Sequence, residues 1–215
     1  MSEPLLRLDA LEKDWGDGRG LSPTSFSADR GELIVLSGHN GAGKSTLIDL
    51  CVGLLEPTRG QVLIDGMSPT SIEARRLTAH LPDTPVLYDD LSLREHLIYI
   101  GGLHGEAVDD NEVDGILDGV DLLDRGDDRP MTFSRGMKQR SALACVLIRR
   151  FDLLFVDEPF VGLDREGQEL AVEVMADAVA NGATVLASTH HDDLEAHATR
   201  TIMLVDGVVT EDTGS

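Results

Sequence analysis

Residues Gly38-His39-Asn40-Gly41-Ala42-Gly43-Lys44-Ser45 lie between an apolar run, Leu33-Ile34-Val35-Leu36, and a helical pattern that begins Thr46-Leu47-Ile48-Asp49-Leu50. The spacing G-x-x-x-x-G-K-[S/T] in that setting leaves few folds open. A buried strand must run into a tight glycine-rich turn, and the turn into a helix N-terminus. Such a turn lets successive backbone N–H groups point at one anion, and the helix adds the positive end of its dipole. Lys44 can then reach β- and γ-phosphates, and Ser45 can ligate Mg²⁺. The stretch predicts a nucleoside-triphosphate site built from Gly38, His39, Asn40, Gly41, Ala42, Gly43, Lys44, Ser45 and Thr46. It leaves open what the energy of that triphosphate is used for.

At 215 residues the chain is long enough for one domain with a sizeable core and a small subdomain. Its 41% hydrophobic and 27% charged residues exclude a chain that is disordered overall. No basic N-terminus followed by an apolar stretch marks a secretory leader. No apolar run approaches the roughly 20 residues of a membrane span. The expectation is a chain soluble by itself, with any membrane role supplied by a partner chain. Cys51 and Cys145 each fall in an apolar helical pattern and read as buried free thiols, which fits a reducing cytoplasm. Net charge is −21, and only Lys13, Lys44 and Lys138 are lysines. So acidic a surface disfavours nucleic acid and anionic lipid as partners. Asp109, Asp110, Asp114, Asp118, Asp121, Asp124, Asp127 and Asp128 crowd one region, where a solvated polar face fits better than a calcium loop of the wrong spacing.

Along the chain, Leu5 to Phe26 has the pattern of β structure broken by a turn at Gly16-Asp17-Gly18-Arg19-Gly20. A turn at Pro57-Thr58-Arg59-Gly60 precedes a short strand at Val62-Leu63-Ile64. Ser71 to Arg76 suggests a helix. From about Pro85 to Arg150 the pattern is helical. One apolar cluster comprises Leu91, Leu93, Leu97, Ile98 and Ile100, a second Val113, Ile116, Leu117 and Val120, and a further helix spans Gln139 to Arg150. Short apolar runs then return at Leu153–Val156, Thr184–Ala187 and Ile202–Val205, separated by helices at Glu166–Ala180 and near Leu194. Such alternation predicts a buried, mostly parallel sheet with a helical insert.

Leu153-Leu154-Phe155-Val156-Asp157-Glu158-Pro159 puts two carboxylates at the carboxyl end of an apolar strand, where ligands sit in open α/β sheets. Asp157 suits Mg²⁺, directly or through water. Glu158 suits the attacking water, whose proton it can accept. After the next strand, Ala187-Ser188-Thr189-His190 offers an imidazole able to donate to the γ-phosphate or to the water. His191 ranks below it, because a one-residue shift changes the side-chain direction.

These residues, in this order, resemble the nucleotide-binding domain of the ABC (ATP-binding cassette) ATPases over nearly the whole chain. Gly38 to Ser45 is similar to Walker A, and Leu153 to Glu158 to Walker B with its catalytic glutamate. Gly162-Leu163-Asp164 resembles the D-loop and His190 the switch histidine. Phe133-Ser134-Arg135-Gly136-Met137-Lys138-Gln139-Arg140 resembles the family signature, and Gly53 to Gly60 also matches a family stretch. Trp15 falls where the family places an aromatic that stacks on adenine.

The resemblance implies an α/β fold: a P-loop NTPase core of mostly parallel sheet flanked by helices, an N-terminal antiparallel β subdomain and an inserted α-helical subdomain. A single domain over 1–215 is expected, with core and β subdomain at 1–84 and 151–215 and the helical subdomain at approximately 85–150. It implies ATP and Mg²⁺ as cofactors, with Glu158, His190 and Lys44 catalytic and Ser45, Asp157 and Asp83 toward the metal. ATP would be sandwiched between Walker A of one copy and Ser134 and Gly136 of another, so a second cassette, identical or not, must meet the first. The departures are Arg135 and Met137, in place of a signature glycine and glutamine, and Asp83, in His80-Leu81-Pro82-Asp83-Thr84-Pro85, where glutamine is usual. The S-x-G-M-x-Q-R variant resembles cassettes that pair with small separate permeases, often exporters.

The leading expectation is therefore the ATPase subunit of a membrane transporter, on the cytoplasmic face of the membrane, with its transmembrane permease on a separate chain touching the insert. The alternative is a soluble cassette acting on a protein or nucleic-acid assembly. The basic patches, coiled coils or tandem cassettes usual for the nucleic-acid versions are not visible.

Overall fold

The computed structural model describes residues 3–16, 18–189 and 192–214. In chain order the elements are β1 (Leu6–Asp14), β2 (Gly20–Ala28), β3 (Leu33–Ser37), α1 (Lys44–Val52), β4 (Arg59–Ile64), α2 (Ile72–Leu77), β5 (Thr78–Leu81), α3 (Leu93–Leu103), α4 (Asp110–Gly119), α5 (Arg135–Leu147), β6 (Leu153–Asp157), α6 (Arg165–Ala180), β7 (Thr184–Ser188), α7 (Asp192–His197), β8 (Arg200–Val205) and β9 (Val208–Asp212). The fold is α/β, with one antiparallel and one mostly parallel sheet. Two compact units divide the chain: Met1–His80, Phe151–Glu158 and Met175–Ser215 form the first, Leu81–Arg150 and Pro159–Val174 the second.

In the first unit a six-stranded sheet runs in the order β5-β6-β7-β3-β8-β9. β3 pairs in parallel with β7 and with β8, and β6 in parallel with β7. Leu33, Ile34, Val35 and Leu36 are all buried, as a strand covered on both faces requires, and this is why the run is apolar without alternation. A three-stranded antiparallel sheet, β2-β1-β4, completes the unit. Its central strand buries Leu6, Leu8 and Leu11. The shift from even to odd positions is made by a register irregularity between Leu8 and Leu11. Leu6, Leu8 and Leu11 share one core with Leu36, Leu47, Ile48, Phe155 and Leu186, so both sheets close on the same apolar interior.

The second unit is built on capped helices. Ser92 and Glu95 form a reciprocal capping box at the start of α3. Asp109 caps α4 through the Glu112 N–H at 2.9 Å. Ser134 caps α5, accepting from the Met137 N–H at 3.2 Å. Buried His96 accepts from the Tyr88 N–H at 2.7 Å, and its other ring nitrogen lies 2.7 Å from the Ser92 carbonyl, so the loop before α3 is tied to the helix.

Several sequence expectations are corrected. α5 begins at Arg135, four residues before the expected Gln139, because the Ser134 cap starts it ahead of the apolar pattern. Arg59 and Gly60 already belong to β4. β5 and β9 were not expected. β5 is only four residues long and follows α2 without a breaker, and β9 is a mostly exposed antiparallel edge strand with little apolar signal. Ile98 leaves its expected cluster: Leu93 and Leu97 are buried one turn apart, whereas Ile98 is on the exposed side of α3. Cys51 is buried and Cys145 half-buried, both free; burial pushes the Cys145 thiol up to about 12. No helix among the described residues is long and apolar enough to cross a membrane.

The sheet edge is held by Arg200, which donates to both Asp212 oxygens at 2.7 and 2.6 Å and to the Ser27 carbonyl at 2.6 Å. The Arg200 hydrogen bond, helped by the Gly214 N–H, pulls the Asp212 carboxyl below its ordinary value. A depressed carboxylate stabilises the fold above its unfolded pKa of about 3.9 and loses that contribution as pH falls through its folded value. Asp212→Asn should cost ~1–2 kcal/mol at pH 7. Urea melts of native chain and variant should differ at neutral pH and converge in acid.

Candidate active site

The register of the large sheet decides which residues meet. Leu36 of β3 and Asp157 of β6 are both level with Ser188 of β7. The turn that leaves β3 and the acids that end β6 therefore emerge at one edge, one strand apart. Gly38 opens that turn at φ +145, and a Cβ there would stand 2.2 Å from the Leu204 carbonyl oxygen, so the position admits glycine alone. The turn is pinned by Ala42 N–H to His39 O (3.0 Å) and by Gly207 N–H to Ala42 O (2.8 Å). His39 Nε2 lies 3.1 Å from Asp206 Oδ1. Asn40, Gly41 and Ser45 are exposed, Ala42 is buried, and Gly43 and Thr46 are half-buried.

Lys44 starts α1 and is 94% buried by its surroundings, with 6% exposed. Its ammonium donates to the Gly38 carbonyl at 2.7 Å and lies 3.3 Å from Glu158 Oε1. Loop and strand-end carboxylate, far apart in sequence, thus share one cation. Glu158 sits at φ 45, a left-handed conformation that is costly for a side chain with a Cβ. Its N–H donates to Ser188 O and Ser188 Oγ, both at 3.1 Å. The Ser188 hydroxyl donates in turn to the buried Asp157 carboxylate. Ser188 therefore orients both acids, a role sequence reasoning missed. The only signal was its place two residues before His190.

Negative charge accumulates here. Asp49 on α1 has its pKa raised by burial and, second, by the charge of Asp157. His80 also feels Asp157. Burial lowers the His80 pKa while that carboxylate opposes the shift, and Nε2 finds no hydrogen-bond partner among the described residues. No group of three His, Cys, Asp or Glu side chains among the described residues could hold a metal ion alone. One hydroxyl, Ser45, and one carboxylate, Asp157, fit Mg²⁺, which takes few protein ligands and fills its octahedron with water and phosphate oxygens. Trp15, also of this unit, is 52% exposed, with the Lys13 ammonium 4.7 Å above its ring. His190 and His191 lie outside the described residues.

Ser134, Gly136 and Asp83 belong to the second unit. Ser134 and Gly136 border a 370 Å³ cavity together with Met137, Arg140, Gly162 and Asp164. Arg140 donates to Asp121 at 2.7 Å and to Asp164 at 2.9 Å. The Gly167 N–H and Arg140 lower the Asp164 pKa. Asp83 follows β5, half-exposed, with Oδ1 3.9 Å from Arg135 Nη2.

A glycine-rich turn between a central parallel strand and a helix, level with two acids at a strand end, defines a P-loop nucleotide-binding protein. The model of the ABC transporter family matches residues 21–161. The chain belongs to that family and is one of its ATP-binding, ATP-hydrolysing cassettes. It is 34% identical over 211 residues to the SkfA peptide export ATP-binding protein SkfE of Bacillus subtilis (strain 168), covering 97% of this chain and 88% of that protein. It is 35% identical over 193 residues to the Nod factor export ATP-binding protein I of Bradyrhizobium sp. (strain SNU001), covering 88% of this chain but only 63% of that longer protein. Among solved structures, one titled "Structure of ATP binding subunit of ABC transporter" superposes with TM-score 0.87 at 34% identity, covering 97% of this chain and 89% of that one.

Ser188→Ala removes a buried hydroxyl and leaves a carboxylate short of a donor, at a cost of ~1–3 kcal/mol. The expected outcome is a lower melting temperature together with turnover reduced more than ATP binding, read by thermal melting and steady-state kinetics on one preparation.

Proposed function

We propose that this chain is the ATPase subunit of an exporter, working as a closed pair of cassettes against a permease on another chain. The observation that carries the catalytic part is the 3.3 Å approach of Glu158 to Lys44, which puts a carboxylate beside the cation that phosphate-loop proteins aim at a triphosphate. In this reading Gly38 to Thr46 wrap the phosphates with backbone N–H groups. Lys44 exchanges the Gly38 carbonyl for β- and γ-phosphate oxygens. Ser45 and Asp157 hold Mg²⁺, with Asp83 approaching through a water; when bound, the ion neutralises charge on the β- and γ-oxygens. Glu158 accepts a proton from, or orients, the attacking water, with His190 beside the γ-phosphate. Trp15 stacks on the adenine, an interaction worth about 0.5–1.5 kcal/mol beyond area burial. Ser134 and the Gly136 amide complete the site from the second copy.

The export direction is supported by the relatives, which are named as peptide export and Nod factor export ATP-binding proteins. The second unit carries exposed apolar side chains, Val86, Tyr88, Ile98, Tyr99 and Leu103, suited to a permease partner. The chain then lies on the cytoplasmic face of the membrane through that contact, and its acidic surface disfavours nucleic acid.

Glu158→Gln should retain ATP binding while steady-state hydrolysis falls by at least about 100-fold, the usual scale for a lost general base. Unchanged turnover removes Glu158 from that role. Affinity purification from detergent-solubilised membranes should recover a multi-span protein with the chain. Recovery in soluble complexes alone would favour the non-transport reading.

A further inference from the structure

The two polar departures from the ABC pattern that carry opposite charges, Asp83 and Arg135, come together: Arg135 Nη2 is 3.9 Å from Asp83 Oδ1. Both belong to the second unit. Arg135 is the first residue of α5, and the first turn of that helix holds no acidic residue. A cation there opposes the positive end of the helix dipole, so a nearby carboxylate is favourable to it. Asp164, the other acid beside this helix start, is engaged by Arg140 and by the Gly167 N–H, whereas Asp83 faces Arg135. The stem of Arg135 also has a defined seat. It lies across Gly162, at φ +83, where an added Cβ would come within 2.8 Å of Arg135 Cγ and Cδ. Next along the helix, a Cβ on Gly136 would stand 2.7 Å from the Gly162 carbonyl oxygen. Arg135 thus spans the loop after β5, the start of α5 and the Gly162 turn.

We propose that Arg135 is a positioning residue for Asp83, so that the two departures form one charge-compensated unit. This rests on the proposed reading of Asp83 as a carboxylate that approaches Mg²⁺ through a water. There, an uncompensated carboxylate would repel the triphosphate. Arg135 sets where that carboxylate stands and how much of its charge the nucleotide meets. Arg135 is exposed and Asp83 half-exposed, so the coupling is modest and weakens with salt.

The test is a double-mutant cycle on the full chain: native, Arg135→Gly, Asp83→Gln and the double variant, with Arg135→Gln replacing Arg135→Gly if the latter melts early. ATP turnover is measured for kcat, KM and the Mg²⁺ concentration at half-maximal rate, at low and high salt. Arg135→Gly should raise KM for ATP about three- to fivefold at low salt, with a smaller change in kcat. In the Asp83→Gln chain the same change should alter KM less than about twofold. Arg135→Lys should restore most of the native behaviour. An identical effect of Arg135→Gly in both backgrounds overturns the pairing. Native KM and Mg²⁺ dependence in the Asp83→Gln chain would instead overturn the reading of Asp83, so the two failures are told apart.

Discussion

A single buried ammonium organises one edge of the large sheet. Lys44 opens α1, yet its charge is met by a carbonyl of the turn before it and by the carboxylate that ends β6. That arrangement depends on register, because β3 and β6 are not neighbours; β7 lies between them. Leu36, Ser188 and Asp157 form one row across the three strands, and only in that row do the turn and the acids leave the sheet together. Parallel strands buried on both faces hold register through packing along their whole length, so the apolar runs flanking the motifs are as necessary to the site as the motifs.

Ser188 shows how the sheet becomes specific chemistry. Its backbone carbonyl and its hydroxyl both receive the Glu158 N–H, and the hydroxyl also donates to Asp157. The two acids are adjacent in sequence but differ in environment: Asp157 is buried and hydrogen-bonded, whereas Glu158 is partly exposed on a left-handed residue that swings its side chain away from the strand. The strain, of order 1–3 kcal/mol for such residues, persists because two hydrogen bonds fix the backbone. One acid is thereby suited to holding charge in place and the other to meeting a substrate.

What could be read from sequence followed periodicity and spacing. The strand-turn-helix at Leu33 to Leu50, the acid pair after Leu153–Val156 and the alternation of apolar runs with helices are all strong local patterns, and each appears in the structure. Elements with weak local signals were hidden. β9 is polar and exposed, β5 follows α2 without punctuation, and the start of α5 is set by a serine cap inside a stretch with no apolar rhythm. Contacts between distant residues were hidden for a different reason. The pairing of His39 with Asp206, of Arg135 with Asp83, and the double role of Ser188 follow from strand register and loop packing, which no local window contains.

The start of α5 joins folding and function in one residue. Ser134 accepts the Met137 N–H and so begins the helix. That bond uses a lone pair of the hydroxyl oxygen and leaves its hydrogen to be donated elsewhere. The same cap that satisfies one backbone N–H therefore presents an O–H donor beside the remaining N–H groups of the first turn, at the positive end of the helix dipole. An anion is what such a surface accepts best, and the 370 Å³ cavity beside it leaves room for one. With the phosphate loop in one unit and this helix start in the other, the chain carries two helix N-termini of the same physical kind. In the proposed pair of cassettes, a triphosphate held by the first in one copy would offer its outer oxygens to the second in another.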